Sequence, residues 1–199
     1  AHPHEAAYGL HLPSTTYPLF ENALRAHYGW SIERHRTELG QFCSRLSAVA
    51  AENPYAWFPQ ARSAEEIATV SAQNRMVSFP YTKYMNAIMD VDQSAAVLMT
   101  SVAGARALGV DPSRWVYLRG AADAHDHWFM SERRDFHSSP AIRTVGQQAL
   151  DMAGMTIAQM DLFDLYSCFP SAVQIARDML GIAPDDPRPL SVTGGLAYQ

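Results

Sequence analysis

The chain has 199 residues, of which 48% are apolar and 18% charged, and its net charge is −5 with the histidines neutral. This is the composition of a packed globular protein. Its acidic balance argues against a general nucleic-acid binder, which needs basic surface to displace phosphate counterions. No apolar run approaches the length of a membrane span, and residues 1–4 do not resemble the start of a signal peptide. Cys43 and Cys168 lie far apart, in no metal-binding spacing and no disulfide framework, so a reducing, cytoplasmic setting is expected.

Along the chain, residues 16–52 predict two helices. Thr16 is expected to cap the first, with Pro18 early in it and Gly29 ending it. Ser31 opens the second, where Leu39, Phe42, Leu46 and Val49 recur at three- and four-residue spacing as one buried stripe. Asn53-Pro54 breaks that helix. Ser63-Ala64-Glu65-Glu66 has the form of a capping box before a short helix.

After about residue 76 short apolar runs alternate with helices. Residues 95–99 read as a strand or the start of a helix, 102–108 as a helix stopped by Gly109, and 115–118 as a strand. Ser139-Pro140 opens a helix running to Gly154. Residues 162–165 predict a strand, 169–180 a helix with Pro170 in its first turn, and 189–193 a strand ending at Gly194-Gly195. Strand, helix, strand, helix, strand is the rhythm of an α/β layer.

Four motifs in this order resemble the thiolase superfamily. Asn53-Pro54-Tyr55-Ala56-Trp57 resembles the end of the family's loop domain. Asp92-Gln93-Ser94-Ala95-Ala96 resembles the close of its first half. Asp161-Leu162-Phe163-Asp164-Leu165-Tyr166-Ser167-Cys168-Phe169 resembles the segment ending in Asn-Glu-Ala-Phe, and more closely the His-Asp-Cys-Phe form of sterol-carrier-type thiolases. Ser191-Val192-Thr193-Gly194-Gly195 resembles the glycine-paired strand end that follows. The resemblance implies an α/β fold, part of a layered α-β-α thiolase-like architecture with a helical loop subdomain. It implies residues 1–82 as the loop-domain-like region, 83–109 as the tail of the first half and 110–199 as the start of the second. The sequence is then an internal section of a longer chain. The nucleophilic cysteine would lie upstream and the Gly-His-Pro histidine just beyond Gln199, so the 199 residues alone are expected to be inactive. An incomplete sheet with an open edge, and apolar surface exposed on the 160–198 side, is expected. The remainder of a longer chain or a homo-oligomer partner would cover it.

The implied chemistry is acyl-CoA handling, with a parent of the acetyl-CoA acetyltransferase type that forms or cleaves 3-ketoacyl-CoA. Such chemistry needs a thiolate, a base and donors for the thioester oxyanion. Tyr166 stands where the family has Asn or His holding an oxyanion water, and a phenol there also resembles thiolase-like retro-aldol lyases. A core tyrosine at a strand end is the alternative. Tyr166, Ser167 and His137 are the candidate catalytic residues. Gly194, Gly195 and Phe136 are the candidate acyl-CoA-binding residues, the last with His137 near the acyl pocket. Cys168 reads as a buried, inert thiol and not as the nucleophile. His125-Asp126-His127 is the one histidine cluster, but no further ligand has a diagnostic spacing, so no metal is expected, and no cofactor beyond the coenzyme A thioester as substrate. The helix starts at Ser139-Pro140 and Phe169 offer free N–H groups, equally explained as ordinary caps. A CoA-thioester retro-aldol lyase and a non-catalytic thiolase-like CoA- or lipid-binding protein are the two rivals to acyl transfer.

Overall fold

The computed structural model describes residues 2–199. Its framework is helical. A one-turn helix, α1 (Pro3–Ala7), is followed by α2 (Pro13–His27) and α3 (Ile32–Ala51). Then come the short α4 (Ala64–Ala68) and α5 (Val102–Ala107), and two longer helices, α6 (Pro140–Ala153) and α7 (Pro170–Leu180). The one sheet among the described residues is an antiparallel pair, β1 (Met76–Ser78) and β2 (Tyr81–Thr82).

Local chemistry accounts for most helix ends. The Ser31 hydroxyl accepts from the Arg34 N–H and starts α3, and the Ser63 hydroxyl accepts from the Glu66 N–H and starts α4. Gly154 and Gly181 adopt the left-handed conformation that closes α6 and α7. The start of α2 differs from expectation. Pro13 supplies its first turn, Leu12 is the N-cap, and the Thr16 hydroxyl turns back to the Leu12 carbonyl. Pro18 therefore lies inside the helix. In α3 the stripe of Leu39, Phe42 and Leu46 is buried, but Ala50 completes it where Val49 was expected, because Val49 is half exposed.

The core is the buried side of α3 joined to both ends of the second half of the chain. Leu39, Phe42, Cys43, Leu46 and Ala50 pack with Ile67, Tyr81 and Met85, and with Cys168, Phe169, Val173 and Tyr198. Beneath it lies a polar junction. Glu21 of α2 is fully buried. Its carboxylate accepts from the Tyr81 hydroxyl at 2.8 Å and from the Gln174 amide at 3.0 and 3.2 Å. His35 Nε2 of α3 lies 3.1 Å from the same carboxylate. One carboxylate thus links α2, α3, β2 and α7.

The layered α-β-α arrangement is not present in this structure, which is mostly helical. The reason is pairing. A strand exists only through ladder hydrogen bonds to a neighbour, and the segments 95–99, 115–118, 162–165 and 189–193 form no ladder here. Leu165 N–H donating to the Leu190 carbonyl at 2.9 Å is one isolated rung between the last two. Many apolar side chains of these segments consequently face outward, although Phe163 is buried and Leu165 and Leu190 pack against the core. Val97 is 91% exposed and Val116 is 96% exposed, and Leu98, Met99, Leu118 and Leu162 are also exposed. A polypeptide of these 199 residues is expected to exchange the amides of 95–99 and 116–118 at nearly unstructured rates while α3 stays protected. Hydrogen-exchange mass spectrometry reads both, and strong protection at 116–118 would mean that the segment finds a partner.

Candidate functional site

The segment 166–169 runs into the start of α7 and is clamped from two sides. The Ala87 N–H donates to the Cys168 carbonyl at 3.2 Å. The Leu196 N–H donates to the Ser167 hydroxyl at 3.0 Å. The 191–198 stretch that supplies the second clamp is itself fixed: Asn53 Nδ2 donates to the Thr193 carbonyl, Ile88 N–H to the Leu196 carbonyl, and Phe58 N–H to the Tyr198 carbonyl. Ser191 ties it to Asp164.

Gly194 and Gly195 are required by close approach. Their φ values are +100° and +86°, a region that side chains rarely adopt. A Cβ on Gly195 would stand 2.9 Å from Ser167 Oγ, and one on Gly194 would stand 2.5 Å from the Ala50 backbone nitrogen. Both glycines are buried. The structure therefore brings Ser167, Gly194 and Gly195 together with Cys43 and Tyr198 around a small void of about 10 Å³, about the least that one water needs.

Tyr166 is the solvent-facing member of this segment, 68% exposed. The Cys168 thiol, then partial burial, raises the pKa of its phenol. Cys168 is only 7% exposed. Tyr17 of α2 stacks its ring on the neighbouring Phe169, with centroids 4.4 Å apart and planes 12° from parallel. Burial, and then the Cys168 thiol, push the Tyr17 phenol well above its ordinary range. The sequence reading missed Tyr17. Its signal was an aromatic pair, Tyr17 and Phe20, at helical i, i+3 spacing, with nothing in the sequence to say what it faced.

Phe136 and His137 sit elsewhere, along α2. Phe136 meets the Phe20 ring edge-on at 5.6 Å, and Phe20 in turn lies 5.7 Å from Tyr17. His137 stacks on His27 at 4.1 Å, and its Nδ1 is 3.5 Å from Asp135. The six candidate residues therefore divide into two groups, bridged by the aromatic face of α2.

Other polar features have local explanations. Ser139 caps α6 by accepting from the Ile142 N–H and donates to Asp126. Asp126 also pairs with Arg133, whose guanidinium lies over Phe20. Among the described residues no three His, Cys, Asp or Glu groups are arranged to hold a metal ion. Burial pushes the Cys43 thiol far up, away from thiolate chemistry. An open hollow of about 560 Å³ lies between the end of α3 and Val192, lined by Glu52, Asn53 and Tyr55 among others. It does not include the Tyr166 segment. No described helix is long and apolar enough to cross a membrane.

Comparison with known proteins matches these observations to one family. Residues 122–188 match the family described as thiolase C-terminal domain-like. An acetyl-CoA acetyltransferase of Methanothermobacter thermautotrophicus is 27% identical over 161 residues, covering 77% of this chain and 40% of that protein. The crystal structure of a monomeric SCP2-thiolase-like protein type 1 from Mycobacterium smegmatis superposes on the whole chain with a TM-score of 0.92 and 44% identity. The Ltp2-ChsH2(DUF35) aldolase shares the fold over the whole chain at a TM-score of 0.72 and 18% identity. The chain spans 40% of the acetyltransferase, 43% of the SCP2-thiolase-like protein and 56% of the aldolase chain. With its helices, its clamped 166–169 segment and its glycine pair all falling within that likeness, the chain is a thiolase-like protein, a relative of the SCP2-thiolase-like proteins that covers part of its homologues' length.

Proposed function

We propose that this chain forms one wall of an acyl-CoA-handling site in a thiolase-like protein, with Tyr166 as the group that meets the thioester. The observation that carries this reading is the exposure of the Tyr166 phenol at the entry to α7, on a segment held by the Ala87 N–H at the Cys168 carbonyl and by the Leu196 N–H at the Ser167 hydroxyl. A segment held in this way with a free hydroxyl is what an oxyanion donor or a proton donor requires. Ser167 supports the wall from below by holding the 195–196 turn, and Gly194 and Gly195 let that turn approach α3 closely. Phe136 and His137, which lie along α2 and apart from Tyr166, would belong to the acyl side of the site. The division into a loop-domain-like region (1–82), the tail of one half (83–109) and the start of the second (110–199) belongs to the same proposal.

Acyl transfer of the acetyl-CoA acetyltransferase type would need a nucleophilic thiolate. Cys43 is sealed in the core and Cys168 is almost buried, so the nucleophile is not assigned to either. A second reading, cleavage of a CoA thioester by a retro-aldol route, is favoured by the phenol at position 166, which can accept and return a proton.

Both readings predict contact between Tyr166 and the thioester. Titrating [13Cζ]tyrosine-labelled protein with acetyl-CoA is expected to move the Tyr166 resonance, assigned by its loss in Tyr166→Phe, and to leave that of the buried Tyr198 in place. A Tyr166 signal that stays fixed at saturating acetyl-CoA would remove Tyr166 from the site.

A further inference from the structure

We propose that Glu5 is a positioning residue for the acyl side of this site: from α1 it pins the tip of the 126–139 loop, and the pinned loop presents Phe136 and His137. The inference rests on the reading of those two residues as the acyl side. It adds the group that holds them there.

Residues 126–139 form a loop with its own bracing. The Ser139 hydroxyl donates to Asp126 at 2.7 Å and draws the two ends together. Arg133 reaches back across the loop to the same carboxylate at 3.3 Å. The N–H and hydroxyl of Ser138 both donate to Asp135, at 3.0 and 2.7 Å. A compact loop with its ends close is a self-contained unit, and such loops often carry function. One side of it leans on α2, through Phe136 on Phe20, Arg133 over Phe20 and His137 on His27.

The tip of the loop has a separate anchor. The Ser131 N–H and hydroxyl both donate to one Glu5 carboxylate oxygen, at 2.7 and 2.9 Å. The other oxygen accepts from the His2 N–H at 2.9 Å, and the Phe129 ring meets the His2 imidazole edge-on at 5.4 Å. Glu5 is the buried residue of α1, 5% exposed. Among the described residues, every hydrogen bond from α1 to the chain beyond residue 10 runs to this carboxylate. The Ser131 N–H, working against burial, holds the Glu5 carboxyl at about 2, so the tie is ionised at any working pH. Hydrogen bonds to an ionised acceptor are the stronger kind, and two of them from one residue fix the tip in direction as well as in place. Without Glu5 the neck of the loop stays closed, but the tip is free. Phe136 and His137, both half-buried, then keep only their ring contacts with α2. An acyl chain long enough to reach them would lose ordered contacts, whereas an acetyl group, met at Tyr166, would not.

The test compares the native chain with Glu5→Ala and Glu5→Gln, with circular dichroism to establish that each is folded. Hydrogen-exchange mass spectrometry is expected to show the amides of 129–137 exchanging about tenfold faster or more in Glu5→Ala, with α3 and α7 unchanged. Calorimetric titration is expected to show the Kd for octanoyl-CoA rising about tenfold in Glu5→Ala, while that for acetyl-CoA stays within about twofold. Glu5→Gln keeps one acceptor oxygen for Ser131 and is expected to restore most of both. Unchanged exchange at 129–137 removes Glu5 as the anchor. Faster exchange with an unchanged Kd for octanoyl-CoA makes Glu5 a structural tie alone and overturns the positioning role. Failure of the proposed function is read elsewhere, at a Tyr166 resonance that acetyl-CoA does not move.

Discussion

Glu21→Ala is expected to destabilise the chain by about 3–5 kcal/mol, the usual cost of breaking a buried, partnered charge. The carboxylate is fully buried and holds groups from three other elements: Tyr81, Gln174 and His35. Its loss leaves the Gln174 amide without its acceptor. Tyr81 retains only Ser171, 2.8 Å from its hydroxyl. Burial and then the Glu21 charge already hold the Tyr81 phenol well above its ordinary range, so the hydroxyl stays a donor at any working pH. Glu21→Gln keeps the volume and one acceptor oxygen, and about 1–3 kcal/mol is expected for it. Urea unfolding followed by circular dichroism gives both values. Equal costs for the two variants would mean that volume, and not the carboxylate, holds the junction.

The second large effect is expected at Gly194. Gly194→Ala places a methyl group against the Ala50 Cβ, 2.5 Å from the Ala50 nitrogen and 2.6 Å from its Cα, at a φ of +100°. The combined clash and strain should cost about 3 kcal/mol or more. Because 194–198 clamps Ser167 and the segment leading into α7, the damage should reach Tyr166 as well. Ala50→Gly in the Gly194→Ala background opens part of the space and should recover some of the loss. Thermal unfolding of the single and double variants measures it, and a Gly194→Ala protein as stable as the parent would show that the turn does not approach α3.

The elements that local chemistry specifies were readable in advance. Ser31, Ser63, Ser139-Pro140 and Gly154 start or stop helices through bonds to their immediate neighbours, and each does so here. Thr16 misled because Pro13, three residues earlier, is an equally good first-turn residue and the helix takes the longer option. The hairpin of β1 and β2 escaped notice because each strand is too short for a period-two pattern to declare itself. The expected strands at 115–118, 162–165 and 189–193, and the 95–99 segment read as a strand or a helix start, share one cause of failure. A short apolar run says that a segment can pair, but pairing depends on residues elsewhere, and within 2–199 these segments have no ladder partners. In the site, Tyr166, Ser167 and Gly194-Gly195 were named from their motif segments, but the contact between Ser167 and the glycine pair was not read from them. The separation of Phe136 and His137 from Tyr166 and the arrival of Tyr17 on Phe169 were not legible either, because both depend on how α2 lies across the α7 entry.

That placement of α2 has a kinetic consequence. Glu21 and Gln174 are 153 positions apart, and Tyr28 reaches Asp178 across a similar separation. Tyr198 closes the core over Cys43, so α3 has no finished cover until α7 and the turn after it have been synthesised. Contacts of such long sequence separation carry a loop-closure cost before they reward the chain. During translation α2 and α3 would wait with Leu39, Phe42 and Leu46 uncovered, a state that invites chaperone binding or aggregation. Folding should therefore be slow, governed less by how fast the helices form than by when the far end of the chain comes back to them.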